Sequence, residues 1–380
     1  MNDSLRTWAE IDIDALKHNY RLAKKLSKNR PVMPVIKGDA HGHGAVRVGR
    51  LFQEEGAAAF AVACISEAVT LRKNGITVPI LILGWTAPLE AGILAENDIT
   101  QSVFSLGYGK ELSKMAQELN VNLKVHVKID SGMTRTGIYA QKDASVAAGE
   151  VMEIAGLPCM DVTGIFTHYA VADMPEKEDF TRWQFENFCA VLDSLKKRGF
   201  DMSHVTVHAS NSAVIMYHPE SHFDMVRLGV MMYGLYPANV YEEGGPLIPS
   251  MTLKSRVAQV KDIDEGAKIS YGCTFTAEHP MTIAVVAAGY ADSYPRALSG
   301  KGAYAVINGE RCPQVGRICM DMCMFDVTGK DVHEGDEVIL YGKGGMSHED
   351  VAQLSGSINC EHTSLLTERV KKVYITSEED

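Results

Sequence analysis

The sequence lacks the long apolar stretches that a membrane protein needs. No apolar run approaches the roughly 20 residues of a membrane-spanning helix. The first residues, MNDSLRTWAEIDID, do not show the basic and then apolar pattern of a secretory leader. The eight cysteines are scattered, and beyond Cys319 and Cys323 no second pair has the spacing of metal ligands. These absences predict a soluble cytoplasmic protein with reduced thiols and no metal.

Positive charge is scarce as well. The chain has 37 Lys and Arg residues against 48 Asp and Glu residues, which gives a net charge of -11. Nucleic acids and anionic membranes are bound through an excess of Lys and Arg, so this balance argues against both as partners. An anionic small molecule is still allowed, because a local cationic pocket can oppose the overall charge.

A repeating pattern of short apolar runs fills the first 239 residues of the 380. Residues 15–28 place apolar side chains at helical spacing and predict a helix. Eight apolar runs follow, separated by polar stretches long enough to form helices: 32–37, 57–63, 78–84, 99–105, 123–129, 162–168, 205–210 and 224–230. Continuous apolar runs are typical of parallel strands that are buried on both faces. The pattern therefore predicts an α/β fold, a closed (β/α)8 barrel of the TIM type, over residues 1–239.

The pattern changes near residue 240. The segment 239–250, NVYEEGGPLIPS, is rich in Gly and Pro and ends the alternation of helix and strand. Beyond it, short alternating runs are separated by tight turns, and Asn308-Gly309 is a strong hairpin signal. We expect a mainly antiparallel β domain over residues 240–380, and the N-terminal residues are left open to join it.

Polar residues recur at the carboxyl ends of the predicted barrel strands, where barrel enzymes place their active residues. Lys37 ends the first strand, Lys128 the fifth, His168 the sixth and His208 the seventh, and Arg227 lies inside the eighth. A single histidine here could be a satisfied strand-end residue, and Arg227 could be an ordinary ion-pair partner. Five such residues at one rim favour a functional site.

Lys37 indicates the chemistry of that site. Lysine is rarely buried unless it is paired or functional. A desolvated amine is a nucleophile that can form a Schiff base with a carbonyl. Ser212 and Gly229 lie in the loops after strands seven and eight, where such barrels bind phosphate. Together these residues suggest pyridoxal phosphate, although a Schiff-base aldolase would also fit.

The segment 34–44, PVIKGDAHGHG, resembles the alanine racemase signature A-V-V-K-A-N-A-Y-G-H-G, in which the lysine holds pyridoxal phosphate. Seven further segments resemble blocks of the same family in the family's order: HVKIDSGMTRTG, GIFTHYAVAD, VHASNSA, MVRLGVMMYGLYP, ISYGCTF, GYADSYPR and VGRICMDMCMFDV. The resemblance spans nearly the whole chain. It implies a barrel followed by a β domain, and an isomerase that interconverts L- and D-alanine and supplies D-alanine for peptidoglycan.

The resemblance also implies the catalytic pair. Lys37 would be the Schiff-base lysine and one acid–base group, and Tyr271 would be the other. Tyr271 would reach the cofactor from the second subunit of a head-to-tail homodimer. Two groups are needed because the proton leaves one face of Cα and returns on the other. His168, which the resemblance places beside Tyr271, and Arg135 would lower the cost of the ionised hydroxyl.

Roles in cofactor binding follow from the same resemblance. Arg227 would face the pyridine nitrogen, and His208 would orient Arg227. An arginine cannot readily protonate that nitrogen, so the ring would be a weaker electron sink. The phosphate binders would be Ser212, Gly229 and Val230.

The implied substrate site combines residues of both subunits. Arg135 would face the substrate carboxylate. Lys128 matches a lysine that is carbamylated in many members and would then position Arg135. Met320 and Asp321 would line the carboxylate site from the partner subunit.

Three residues depart from the family pattern; Ser293 stands where glycine is common and has no functional explanation, and the other two bear on cofactor and substrate binding. His41 replaces a tyrosine that normally touches the phosphate, and an imidazole could do the same and add charge. Glu368 falls at a position that helps to gate the substrate pocket. If it faces the pocket, serine or a cationic substrate becomes plausible, as in the serine racemases of glycopeptide resistance. If it is a solvated surface residue, alanine is expected.

Two other classes compete with a racemase. A pyridoxal phosphate decarboxylase of basic amino acids would share the barrel and the lysine, but its second-subunit motif differs from ISYG. A non-catalytic carrier of pyridoxal phosphate would be a bare barrel. The residues beyond 240, including Tyr271 and Asp321, argue against the carrier.

Overall fold

The structure, a computed structural model, describes residues 4–237 and 247–377. Up to residue 237 the strands are β1 (Thr7–Asp12), β2 (Val32–Pro34), β3 (Phe60–Val62), β4 (Ile80–Ile82), β5 (Ile99–Val103), β6 (Leu123–Asp130), β7 (Ile138–Tyr139), β8 (Met160–Phe166), β9 (Thr206–His208) and β10 (Val226–Leu228). The helices are α1 (Ile13–Leu26), α2 (Lys37–His41), α3 (Ala45–Glu54), α4 (Ile65–Lys73), α5 (Ala91–Glu96), α6 (Leu106–Leu119), α7 (Ala144–Ala155), α8 (Glu178–Lys197) and α9 (Ser212–Tyr217).

Each of the eight predicted runs overlaps one strand of a TIM-like ring of parallel strands, although β6 extends one residue beyond its run and β8 begins two residues before its run. Strands β3, β4, β5, β6, β8 and β9 pair in that order, and β2 pairs with β10. A bridge between Val35 and Ala61 joins β2 to β3. The N–H of Asp224, just before β10, donates to the carbonyl oxygen of Val207 in β9 at 3.0 Å. The predicted fold class is confirmed.

The apolar runs form these strands because both of their faces are covered. Strands β2, β3, β4, β5 and β10 are buried at every residue. The predicted helix at 15–28 is α1, which buries Leu16, Tyr20 and Ala23 against the barrel. Asp12 begins this helix by accepting the N–H of Ala15 at 2.9 Å.

A second sheet is formed beyond residue 247. Its elements are β11 (Met251–Ile263), β12 (Lys268–Ile269), β13 (Phe275–Thr276), β14 (Met281–Val286), β15 (Tyr304–Ile307), β16 (Glu310–Val315), β17 (Cys323–Asp326), β18 (Glu337–Tyr341), α10 (His348–Ser355), α11 (Asn359–Ser364) and β19 (Lys371–Ile375). The strand order is β14-β17-β16-β15-β18-β11-β1-β19, and β14 also pairs with the far part of β11, which closes most of the sheet on itself. All pairings except β1–β19 are antiparallel. Asn308 and Gly309 form the predicted hairpin turn between β15 and β16.

The first strand of the chain belongs to this second sheet. β1 lies between β11, to which it is antiparallel, and β19, to which it is parallel. The predicted boundary between residues 239 and 240 lies outside the described residues. Within the described residues, no helix is both long enough and apolar enough to cross a membrane.

Candidate active site

Lys37 stands on a left-handed turn at the mouth of the barrel. β2 ends at Pro34, three residues earlier than the sequence predicted for the first strand. The turn α2 has positive φ angles of 62° at Gly38, 52° at Asp39, 55° at Ala40 and 50° at His41. Lys37 itself is exposed. The sequence predicted a desolvated lysine, whereas in the single chain Lys37 lies beyond the buried strand and is exposed to solvent.

The second sheet holds this turn from outside. The Asp39 carboxylate pairs with Lys372 at 2.8 Å, and the Tyr374 hydroxyl donates to the carbonyl oxygen of His43 at 3.0 Å. At Gly42, a Cβ would lie 2.0 Å from the carbonyl oxygen of Thr363. A left-handed residue other than glycine costs roughly 1–2 kcal/mol, so the turn depends on such contacts.

Arg227 is fixed by four acceptors inside the ring of strands. Its Nη1 donates to His208 Nδ1 at 2.8 Å, and its Nη2 donates to His168 Nδ1 at 3.1 Å. Nη2 also donates to the carbonyl oxygens of Thr167 and Ala209 at 2.8 and 3.0 Å. Burial and the charge of Arg135 lower the pKa of Arg227 to about 9. The guanidinium is therefore still charged at neutral pH, and its position is rigidly defined.

A second histidine, which the sequence analysis missed, supports His208. Because His208 Nδ1 accepts from Arg227, its proton lies on Nε2, which donates to His126 Nδ1 at 2.9 Å. Burial and the Arg227 charge hold the pKa of His208 well below its usual range and lower that of His126 to about 4. Both rings are therefore neutral. His126 precedes Lys128 by two residues on β6, and this same-face spacing was the available signal.

Lys128 is buried beside these groups. Its Nζ donates to Thr136 Oγ1 at 2.6 Å. Burial, Arg135 and Arg227 lower the pKa of Lys128 to about 8. A measurable fraction of this amine is neutral at physiological pH.

His168 lies among all the cations of the rim. Its pKa is held well below the usual range by burial and by the charges of Arg227, Arg135, Lys128 and Lys37. Within residues 4–237 and 247–377, none of these four cations forms an ion pair with a carboxylate. The protein is negative overall, yet the barrel mouth concentrates positive charge. Such a site stabilises an anionic ligand.

Ser212 closes the other side of the mouth. Its buried Oγ accepts the N–H groups of Gly229 and Met231, both at 3.2 Å. Both lone pairs are then engaged, so the hydroxyl proton is left to donate to a ligand. Gly229 and Val230 lie half-buried next to it.

His41 faces the same region from the left-handed turn. Its side chain is 8% exposed, and Nδ1 is buried without a partner among the described residues. Burial and the Lys37 charge lower the pKa of His41 to about 4. The expectation that this imidazole adds charge is therefore wrong at neutral pH. Tyr233, which sequence reasoning missed, lies 4.8 Å from the His41 ring and donates its hydroxyl to the carbonyl oxygen of Val35.

Tyr271 lies between β12 and β13, and Met320 and Asp321 lie between β16 and β17; together they line a cavity of about 670 Å³. Tyr271 is 68% exposed, and its hydroxyl has no hydrogen bond among the described residues. Ser270 holds the preceding backbone by donating to the carbonyl oxygen of Arg317 at 2.6 Å. In the part of the chain that is described, no hydrogen bond or ion pair joins these three residues to the Lys37 rim.

Glu368 lies at the surface. It is exposed and makes no hydrogen bond or ion pair with any described residue. The neighbouring Arg369 instead donates to the buried carboxylate of Asp292 at 2.7 and 2.8 Å. It also donates to the exposed carboxylate of Asp321 at 2.7 Å. Of the two alternatives that the sequence left open, a pocket-facing or a solvated Glu368, the single chain has the solvated one.

The fold and the site define the class of protein first. A TIM-like barrel with a lysine on a left-handed turn, a buried arginine and a cluster of cations that form no ion pair among the described residues is a barrel enzyme for an anionic small molecule. The family model for the N-terminal domain of alanine racemase matches residues 11–237, and the model for the C-terminal domain matches residues 250–374. The chain belongs to the alanine racemase family, whose members are isomerases, so the recognition from its sequence blocks is confirmed.

Individual relatives support the same conclusion over the full length. The chain is 42% identical over 371 residues to the alanine racemase of Desulforamulus reducens, which covers 97% of this chain and 98% of that protein. The solved structure of alanine racemase from Clostridium difficile 630 has a TM-score of 0.92 and 39% identity and covers 99% and 97% of the two chains. The structure of alanine racemase from Bacillus anthracis with bound L-Ala-P has a TM-score of 0.90 and 35% identity, with 99% and 96% covered.

Proposed function

We propose that this protein interconverts L- and D-alanine in the cytoplasm, with pyridoxal phosphate as its cofactor, and that the D-alanine is used for peptidoglycan. The observation that carries the proposal is the cluster of four basic side chains, Lys37, Lys128, Arg135 and Arg227, whose charges act on His168 and none of which forms an ion pair with a carboxylate among the described residues. A dianionic phosphate and an amino-acid carboxylate are the charges such a site requires. The substrate analogue bound to the Bacillus anthracis relative also supports a small-molecule substrate.

The residues of the mouth fit this cofactor. Ser212 has a hydroxyl proton to donate, and His41 has a buried ring nitrogen without a partner among the described residues. With Gly229 and Val230 they would hold the phosphate, while Lys37 would hold the cofactor covalently through its amine. When bound, pyridoxal phosphate withdraws electrons from the substrate and makes its Cα proton acidic.

Arg227 would set the strength of that electron withdrawal. With a pKa of about 9 it keeps its proton at neutral pH, and it has no lone pair to accept one. It would therefore donate a hydrogen bond to the pyridine nitrogen without protonating it. A moderate electron sink favours return of the proton to Cα over transamination. The neutral rings of His208 and His126 keep the guanidinium in one orientation.

The two bases would come from two copies of the chain. Lys37 would move a proton on one face of Cα, and Tyr271 of the partner copy would act on the other. Tyr271 is 68% exposed in the single chain, and the neighbouring Met320 is 52% exposed. A second copy in head-to-tail orientation would cover this apolar surface and complete the site.

Mixing two inactive variants tests the shared site. In a dimer of one Lys37→Ala chain and one Tyr271→Phe chain, one site carries both substitutions and the other carries neither. Random reassociation of a 1:1 mixture should therefore restore about a quarter of wild-type activity. No restoration would mean that both groups of one site belong to one chain. Two Lys37→Ala preparations with distinct tags, mixed in the same way, are the control.

The substrate is tested by initial rates on L-alanine and L-serine, with added pyridoxal phosphate and with the D-amino acid as the measured product. Exposed Glu368 does not polarise the pocket of the single chain, so we expect a clear preference for alanine. Arg135 would bind the carboxylate that both amino acids share. A preference for serine would indicate that Glu368 faces the pocket, and it would favour a serine racemase of the glycopeptide-resistance type. Release of CO2 instead would identify a decarboxylase, and cofactor binding without turnover would identify a carrier.

Lys128 would be carbamylated, which would convert this cation to an anion and leave Lys37, Arg135 and Arg227 as the cations of the mouth. Its pKa of about 8 leaves part of the amine neutral, and a neutral amine adds CO2 to give a carbamate and a proton. The carbamate would be an anion beside Arg135 and Arg227, where it is stabilised. Protein incubated with 13C-bicarbonate should show a carbamate carbon resonance that is absent from Lys128→Met. Equal spectra of the two proteins would exclude this modification.

A further inference from the structure

Glu67 connects the Lys37 turn to the neighbouring barrel strand. It lies in the first turn of α4, and its carboxylate is half-buried. Oε1 accepts the N–H of Gly38 at 2.6 Å, and Oε2 accepts the N–H of Ala63, just after β3, at 2.8 Å. One side chain therefore ties the residue after Lys37 to the end of the adjacent strand.

The Lys37 turn needs an acceptor at this point. The Ile36 N–H is bonded to the carbonyl oxygen of Ala61 at 2.9 Å, which is the last backbone bond between β2 and β3 at this rim. Within the left-handed turn, the first inward bonds are Ala40 N–H to Ile36 oxygen at 2.9 Å and Gly42 N–H to Gly38 oxygen at 3.0 Å. The Gly38 N–H lies between the last β2–β3 hydrogen bond and the first hydrogen bonds of the turn. Like other donors in the first turn of a helix, it has no partner within the turn. Glu67 supplies that partner.

The hydrogen bond also fixes the lysine. The direction of the Gly38 N–H sets the plane of the peptide between Lys37 and Gly38, and so sets ψ of Lys37 and φ of Gly38, which is 62°. An ordinary right-handed turn would point this N–H elsewhere. The orientation of the Lys37 side chain relative to the rim therefore depends on whether the carboxylate is in place.

We propose that Glu67 is a positioning residue for Lys37: its carboxylate, by accepting from Gly38 and Ala63 together, holds the lysine in the orientation that captures the cofactor. This inference rests on the proposed function, in which Lys37 holds pyridoxal phosphate. Glu67 touches neither the cofactor nor the substrate in this assignment. Glu67 would act on Lys37 only through the orientation of the peptide plane between Lys37 and Gly38.

Helix capping explains only one of the two hydrogen bonds that Glu67 accepts. A glutamate at the third position of a helix commonly reaches back to the backbone at the helix start, and the bond to Ala63 is of this kind. The bond to Gly38 crosses to another strand–helix unit and contributes nothing to α4. A glutamine can also cap, but it has one acceptor oxygen where the carboxylate has two. Glu67→Gln therefore retains capping chemistry. Because the two N–H groups approach different oxygens and the amide NH2 cannot accept, one of them loses its acceptor in the observed geometry.

The experiment uses the holoenzyme and follows two quantities, hydrogen exchange at Gly38 and Ala63 and the dissociation constant of pyridoxal phosphate from its visible absorbance. In Glu67→Ala, exchange at Gly38 should be about tenfold faster or more, as expected for loss of a bond to a charged acceptor, and cofactor binding should weaken by a similar factor. Glu67→Gln should weaken cofactor binding while α4 keeps its helical exchange pattern. Glu55→Gln is the control, since Glu55 is a partly buried glutamate that pairs with Arg21 at 3.0 Å away from the turn.

The outcomes separate this inference from the proposed function. If wild-type protein binds pyridoxal phosphate and both Glu67 variants bind it as the Glu55 control does, the positioning role is wrong and the proposed function stands. Faster exchange in α4 with unchanged cofactor binding likewise leaves Glu67 as a helix cap only. If the wild-type protein does not bind pyridoxal phosphate, the proposed function fails, and the positioning role fails with it. Where Glu67→Ala does not fold, Glu67→Gln decides between these outcomes.

Discussion

Replacing Lys128 by methionine should change how the stability of the protein depends on pH. In the unfolded chain a lysine titrates at its ordinary value of 10.5, whereas the pKa of Lys128 is lowered to about 8 by burial, Arg135 and Arg227. Between these two pH values the unfolded state holds the proton and the native state does not. The wild-type free energy of unfolding should therefore rise as the pH increases from about 8 to 10.5.

The size of the effect follows from the same two values. One pKa unit corresponds to about 1.4 kcal/mol, so the charged amine destabilises the native state by about 3 kcal/mol below pH 8. Methionine removes this charge and also the hydrogen bond to Thr136, which is worth about 1 kcal/mol. The variant should thus be about 2 kcal/mol more stable than wild type at pH 7 and about 1 kcal/mol less stable above pH 10.5.

Urea unfolding of the cofactor-free protein in CO2-free buffer, at one protein concentration and at a series of pH values from 6 to 11, measures this difference. The exposed Lys124 on the same strand, which pairs with Asp98 at 2.7 Å, gives the matched control Lys124→Met. Its curve should run parallel to that of wild type. Parallel curves for wild type and Lys128→Met would refute the reasoning, because they would mean that Lys128 titrates alike in the folded and unfolded chains.

Three further predictions concern the Lys37 turn. Lys37→Ala should abolish both turnover and the visible absorbance of the bound cofactor, while circular dichroism stays that of wild type; an unchanged absorbance spectrum would remove Lys37 from its assigned role. Gly42→Ala should destabilise the protein by about 3 kcal/mol or more in urea unfolding, because its Cβ would lie 2.0 Å from the Thr363 carbonyl oxygen at a φ of 85°; Gly56→Ala, also at positive φ but with open space around its Cβ, is the control. His41→Phe should weaken cofactor binding by a factor that is constant between pH 6 and pH 8, because the pKa of His41 is about 4 and its ring is already neutral there; a factor that grows on acidification would show that the imidazole carries charge.

Local sequence patterns predicted most of the framework. Five of the eight barrel strands are short runs that are buried at every residue, so a continuous apolar run was enough to locate them. The hairpin at Asn308 and Gly309 depends on two residues that tolerate positive φ, and these are also visible in the sequence. The strand ends placed Lys128, His208 and Arg227 in one rim for the same reason, since parallel strands end at one side of a barrel.

Other features depended on contacts between distant parts of the chain. β1 pairs with β11 and β19, which lie more than 230 residues away, so its own sequence could not assign it to the second sheet. The charge of His41 was expected from its residue type, but burial and Lys37 determine it. The hydrogen bond between His126 and His208 likewise requires that two strands bring the Nδ1 of one ring and the Nε2 of the other to 2.9 Å.

The sequence by itself determined the order of strands and helices, the two types of sheet and the family, because each is encoded in local periodicity or in contiguous blocks of residues. Only the tertiary structure decided that Lys37 stands exposed on a left-handed turn, that Glu67 and the second sheet hold that turn, and that Glu368 faces solvent. These properties depend on which groups surround a side chain. Desolvation and Coulomb interactions act through space, and residues far apart in the sequence supply most of that surrounding.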